Sequence, residues 1–206
     1  MRTADKTKES IWNALCTLLK TKSIDRITIE ELTKKAGISR NTYYYHFYKI
    51  EDVIEYKSEQ FFKGFAERTM RISSNDSSLN INNMTILESE TDRWQYIYDN
   101  KDLIQVVYAI GMGRSFMIRF IKEIQQILDT AEYTIQYADN CETLVKDEFF
   151  LYYTNSIAFR YYSFLECWMS RDFCDSPGAI AGHLIKSESV SRIIYNKVRT
   201  FEIATV

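Results

Sequence analysis

Proline is almost missing from this 206-residue chain: Pro177 stands alone, and there are six glycines. So few helix breakers favour long helices joined by a small number of turns. No apolar run approaches the length needed to cross a membrane. The opening MRTADKTKES is polar and lacks the apolar centre of a signal peptide, so a cytoplasmic protein is expected. Histidine is nearly as scarce. His46 and His183 are the only two, so no metal-spaced histidine cluster can form. Cys16, Cys141, Cys167 and Cys174 contain no CxxC pair, and buried free thiols are the default for such a set in a cytosolic chain. There is no phosphate-binding loop and no G-x-S-x-G elbow. Gly111-x-Gly113 is too short for a dinucleotide fingerprint and follows no strand pattern. The expectation is therefore a non-enzyme with no cofactor, no metal and no catalytic residue.

What is present is concentrated in Thr28–Phe47. Thr28 followed by Glu31 is a capping box, in which the hydroxyl satisfies a first-turn amide and the carboxylate reaches back to the cap amide. Ile29, Leu32 and Ala36 then share one helical face. Gly37 stands where a helix needs a left-handed residue to end. Ile38 is placed to plug the turn, and Ser39 to cap a second short helix, RNTYYYHF. Two short helices with a glycine turn between them are the helix-turn-helix pattern, whose second helix enters the major groove. Its first turn here is Arg40, Asn41 and Thr42. Arginine pairs bidentately with guanine, asparagine with adenine, and threonine bonds a base or packs on a thymine methyl. Tyr44, Tyr45 and His46 follow as donors to phosphate. Tyr43 and Phe47, four apart, read as core.

Charge follows the same division. The whole chain carries −2, but residues 1–57 hold eleven basic and eight acidic residues, a net of +3. The remainder holds fifteen basic and twenty acidic, a net of −5. A basic head on an acidic body suits a small DNA-reading unit attached to something else.

These residues resemble the TetR family of transcriptional regulators. The resemblance is carried by the string from Thr28 to Val53: a threonine-capped helix, A-G-I-S, then T-Y-Y-Y-H-F and an acidic start to the next helix. It covers about residues 6–57. It implies that Thr42 and Tyr44 match the family's threonine and phosphate-contacting tyrosine, and that His46 and Phe47 match its [HY]-F pair. The family's usual lysine at the start of the fourth helix falls on Ile50, with Lys49 one place earlier. Residue chemistry and the resemblance together give an expected DNA interface of Thr28, Ser39, Arg40, Asn41, Thr42, Tyr44, Tyr45, His46 and Lys49.

Outside a linker and short turns the remaining chain reads as helix, giving an all-α fold class. A first helix over 4–22 carries Ile11, Trp12, Leu15, Leu18 and Leu19 on one face; Arg2, Lys6 and Lys8 near its start are flanking phosphate contacts or solvated charges. Ile50–Arg71 reads as one long helix with an apolar stripe interrupted by Lys57. Ser73–Asn83 is polar and aperiodic, a linker. Helices are then expected over Glu88–Asn100, Leu103–Ile110, Ser115–Tyr137 and Glu142–Arg171. Ser176-Pro177 opens another, and residues 189–201 look like a helical tail. The expected domains are a DNA-binding helix-turn-helix domain over 1–49, a connecting helix over 50–71, and a helical effector-binding and dimerisation domain over 72–206.

Aromatics occupy nearly every face of Glu142–Arg171, and a helix apolar all round must be covered all round. A homodimer through about 142–186 supplies the cover. WMSRDFCDSPGAIAGHL also resembles the C-terminal region of a Firmicutes-type TetR subgroup, in which this helix pair forms a four-helix bundle with its copy. Trp94, Tyr98, Tyr108, Met112, Phe116, Phe149, Tyr153 and Trp168 suit either a small-molecule pocket or plain core packing. The resemblance implies the pocket, and with it a double-stranded DNA operator and an effector. Some family members answer to a protein partner instead.

Overall fold

The computed structural model describes residues 3–74, 83–130, 134–137, 140–143 and 148–187, with side chains over 4–69, 87–127 and 151–187. Arg2, residues 75–82 of the expected linker, the 189–206 tail and the side chains of Phe149 and Cys141 lie outside them.

The helices follow the sequence pattern closely. They are α1 (Thr3–Leu19), α2 (Ile29–Ala36), α3 (Arg40–His46), α4 (Ile50–Ser74), α5 (Asn83–Asp99), α6 (Lys101–Ala109), α7 (Gly113–Thr130), α8 (Glu148–Ser170) and α9 (177–187). A single 3-10 turn, Ile24–Arg26, joins α1 to α2. Among the described residues the fold is all-α apart from one small hairpin. Strand β1 (Thr134–Tyr137) pairs antiparallel with β2 (Asn140–Thr143), Thr134 opposite Thr143 and Tyr137 opposite Asn140. This corrects the helices expected over Ser115–Tyr137 and Glu142–Arg171, which are shorter. Ile135 and Tyr137 alternate with polar residues, so a period of two takes over where the helical period fails.

The chain forms two compact units, Met1–Ala66 with Asn100–Glu123, and Glu67–Asp99 with Ile124–Val206. In the first, Ile11 and Leu15 of α1, Leu32 of α2, Tyr43 and Phe47 around α3, and Val53 and Ile54 of α4 are buried together as a core. Further along, Phe62 of α4 meets Phe116 of α7 at 5.0 Å between ring centroids, and Phe65 meets Phe120 at 5.3 Å. Each such fully buried side chain contributes about 1.5–3 kcal/mol. Lys57, the exception in the α4 stripe, is accounted for: its ammonium is 2.6 Å from Glu9 Oε2 and 5.7 Å from the centroid of Trp12.

Two helices end by the same device. Gly37 (φ 69°) and Gly111 (φ 80°) both take the left-handed conformation. The amide after each reaches back to a carbonyl five residues earlier, Ile38 to Thr33 at 3.0 Å and Met112 to Val107 at 2.9 Å. Glycine adopts this conformation without the Cβ penalty.

In the second unit Trp94, with Trp168 near the end of α8, anchors an aromatic core. Trp94 lies parallel to Tyr161 at 5.9 Å, and Trp168 meets Trp94 at 5.8 Å, Tyr98 at 5.7 Å and Phe173 at 5.2 Å. Asp172 and Phe173 themselves take positive φ, 53° and 54°. Burial of the Phe173 ring offsets that strain. Trp168 Nε1 donates to the Asp175 carbonyl at 3.1 Å, which ties α8 to the turn before α9. Ser176 caps α9 through the Ala179 amide, and Pro177 takes its first position.

Candidate nucleic-acid interface

The helix-turn-helix segment is built by its caps. Thr28 accepts from the Glu31 amide at 3.2 Å, the forward half of the expected capping box. The return half is replaced: the Glu31 carboxylate pairs instead with Lys22 of the α1–α2 connector, 2.5 Å away. Ser39 caps α3, accepting from the Thr42 amide at 3.0 Å, and its hydroxyl also lies 2.8 Å from Thr42 Oγ1. Thr42 is therefore tied by its hydroxyl, and its methyl is the uncommitted end. Ile38, half-buried, sits in the turn as expected.

Burial sorts the α3 side chains by face. Tyr43 is fully buried and Phe47 nearly so, and the Tyr43 hydroxyl donates to the Lys49 carbonyl at 3.0 Å. Arg40, Asn41, Tyr44 and Tyr45 are exposed, Thr42 and His46 half-buried, and Lys49 exposed. Tyr45 and Tyr48 are each 84% exposed, far more than a tyrosine kept for packing. Burial, and then the charge of Lys8, push the His46 pKa down. Lys8 of α1 flanks this face, its ammonium 4.2 Å from the centre of the Tyr56 ring.

Three residues here escape a motif reading. Tyr48 extends the row of exposed hydroxyls past the end of α3. Asp52 accepts from the Tyr48 and Lys49 amides at 3.0 and 3.1 Å, so one carboxylate fixes the turn out of α3 and caps α4. Its signal was available as an acidic residue at the third position of a helix. Glu30 of α2 forms an ion pair with the Arg40 guanidinium. Both groups face solvent, and only the fold brings positions ten residues apart into contact.

A helix with buried inner rings and an exposed outer row of arginine, asparagine and tyrosine invites comparison with proteins of known structure. The TetR transcriptional regulator from Streptococcus agalactiae 2603V matches with a TM-score of 0.54 at 17% identity, over 90% of this chain and 95% of that one. This chain has the TetR fold. The dihydroxyacetone kinase operon activator DhaS matches with a TM-score of 0.60 at 16% identity, covering 91% of this chain and 97% of its own. NalD, the secondary repressor of the MexAB-OprM multidrug efflux pump in Pseudomonas aeruginosa, matches with a TM-score of 0.56 at 14% identity, covering 89% and 95%. Protein-family models and curated proteins returned no match. No described helix is long and apolar enough to cross a membrane.

On this TetR fold the residues considered for a pocket fall into two groups. Trp94, Tyr98 and Trp168 come together in the second unit. Tyr153, half-buried, also belongs to that unit. Tyr108, Met112 and Phe116 belong to the first, Phe116 against Phe61 and Phe62 and Met112 more than a third exposed. Beside Trp94 lies a buried polar cluster. Tyr161 donates to Glu90 Oε1 at 2.7 Å, and Arg93 pairs with the same oxygen. Burial, then the Glu90 charge, push the Tyr161 pKa well up. Glu90 Oε2, Arg93 Nε and Trp94 Nε1 are buried with no hydrogen-bond partner among the described residues.

Proposed function

We propose that this protein is a sequence-specific, double-stranded DNA-binding transcriptional regulator, acting as a homodimer and working as a repressor released by a small-molecule effector. The observation that carries the reading is the α3 face. Its cap and inner rings are fully satisfied within the fold, while Arg40, Asn41, Tyr44 and Tyr45 project to solvent. In this reading Arg40, Asn41 and the Thr42 methyl meet base edges. Tyr44, Tyr45, Tyr48, His46 and Lys49 meet phosphates on either side. Thr28 and Ser39 act through their caps at the ends of the motif. Residues 1–49 serve as the DNA-binding domain, 50–71 as the connecting helix and 72–206 as the effector and dimerisation domain.

Dimerisation is supported by Leu151, Tyr152 and Phe159, which are 58%, 68% and 53% exposed on α8. Three large apolar side chains on one helix, exposed in a single chain, fit a surface covered by a second copy through α8 and α9. Two such heads read a palindrome with half-sites about 34–36 Å apart, one helical turn, or a multiple of it. The effector reading is supported by the three unpartnered atoms of Glu90, Arg93 and Trp94, since buried polar groups are normally bonded and a ligand's polar head completes such a set.

A second reading, a regulator that answers to a protein partner, draws on the same region. The Trp94–Tyr161 stack and the Trp168–Phe173 contact fill the space around Trp94 with side chains. DhaS, similar in fold, is described as an operon activator rather than a repressor.

Selection of bound sequences from a random duplex library, with purified protein at fixed salt, tests the proposal. Enrichment of a palindrome is the expected outcome. Enrichment of a single asymmetric half-site removes the dimer from it. Absence of any enrichment removes DNA recognition.

A further inference from the structure

The first unit contains a cleft of about 640 Å³ between the end of α1, the 24–26 turn and α6. That volume lies within the range of small-molecule sites, about 300–1,000 Å³. Its wall is apolar where Leu19 and Ile24 face Val106 and Ile110. Four charged groups also line it, Lys20, Lys22, Asp25 and Asp102, two of each sign. They are not equivalent. Lys22 is already paired with Glu31 of α2. The Ser23 hydroxyl beside Asp25 holds its carboxyl below the usual carboxylate range. Lys20 and Asp102 are exposed and make no ion pair or hydrogen bond among the described residues. One lies near the end of α1 and the other in the first turn of α6, on two elements that line the same apolar space.

We propose that this cleft binds a small amphipathic zwitterion: a molecule whose apolar body packs on Leu19, Ile24, Val106 and Ile110, while an anionic group meets Lys20 and a cationic group meets Asp102. The two free charges set the head, because a ligand of one sign leaves one of them unanswered. The apolar wall sets the body, at the size of a hydrophobic amino acid or dipeptide. The site lies wholly in the unit that carries α3, apart from the aromatic cluster around Trp94. A molecule seated there touches the connector that Lys22 ties to α2.

Calorimetric titration of the full chain with L-tryptophan, tryptamine and indole-3-propionate separates the head groups on one apolar body. L-Tryptophan is expected to bind at least about fivefold more tightly than the cation-only or anion-only probe, the factor that about 1 kcal/mol provides. Lys20→Gln should remove its advantage over tryptamine, and Asp102→Asn its advantage over indole-3-propionate. Both side chains are exposed, so neither change disturbs folding. Ala109→Trp, which fills the cleft, should abolish binding of all three probes. No heat with any probe overturns the proposal. So does binding that is unchanged in the Lys20 and Asp102 variants, since it then lies elsewhere. The titration contains no DNA, so failure of the DNA-binding reading leaves it unaffected, and the reverse also holds.

Discussion

Arg40 shows how much of the α3 face depends on single side chains. Its ion pair with Glu30 is solvent-exposed on both sides, and such pairs are worth about 0.2–1 kcal/mol. On the proposed reading, exchanging the Glu30 carboxylate for a guanine edge is therefore cheap. Arg40→Ala should relax preference at one base pair per half-site by about 1–3 kcal/mol, read as the loss of discrimination among operators changed at that pair. Full retained discrimination means that the register of α3 in the groove differs from the one proposed. Tyr44 makes the opposite case. Its ring leans on Tyr43 at 5.7 Å, and its hydroxyl has no partner among the described residues. Tyr44→Phe keeps the ring contact and removes the hydroxyl proposed to donate to phosphate. It should weaken binding to all sequences alike, with the ranking of operators unchanged in a competition assay. Cys16 tests the electrostatics of the same unit. Burial, then the Asp102 charge, push its thiol up to about 12, so almost no thiolate exists at pH 8. Cys167 and Cys174 are exposed. Iodoacetamide at pH 8 should label those two well before Cys16, as followed by peptide mass mapping. Equal rates would place Cys16 in a wetter site.

At the scale of the element, helix ends matter more than helix middles. Gly37 has open space where a Cβ would stand, so Gly37→Ala meets backbone strain and no clash. A left-handed alanine costs about 1–2 kcal/mol. The midpoint of urea unfolding should fall accordingly, while Gly37→Asn should lose less; equal losses would show that strain is not the cause. That cap was legible in the sequence, as were the Thr28, Ser39 and Ser176 caps and the inward face of α1, because each is a local pattern of residue type and spacing. The hairpin was not. Its four-residue strands are shorter than the window in which a period of two stands out, and both flanks run on with helical spacing. Glu30–Arg40 and Lys22–Glu31 were also invisible, since charge pairs across a turn leave no periodic trace. Nor does an apolar stripe name its partner: Phe62 and Phe65 announce burial but not the pairing with Phe116 and Phe120, far along the chain.

For the whole molecule, the distribution of charge bears on function more than its sum. On the proposed reading a head with a net of only +3 neutralises few phosphates, so one head alone should hold DNA weakly, and its affinity should fall gently with salt. Joining two heads converts the second contact into an intramolecular one, and avidity of about 10²–10⁴ then follows without new chemistry. The surface available for that joining includes Leu151, Tyr152 and Phe159 of α8. Phe159 is half exposed in the single chain, so replacing it leaves the fold of one copy intact. Across a two-fold axis, each Phe159→Glu change enters the interface twice and leaves two carboxylates to be desolvated without a partner. Phe159→Glu should therefore sediment as a monomer with an unchanged helical circular dichroism spectrum. It should lose affinity for a palindrome by the avidity factor while keeping affinity for an isolated half-site. If the variant stays dimeric, the two-fold contact lies elsewhere on the molecule. If it is monomeric and still binds the palindrome at full strength, one head suffices, and the modest charge of residues 1–57 is supplemented by base contacts beyond those of Arg40–Thr42.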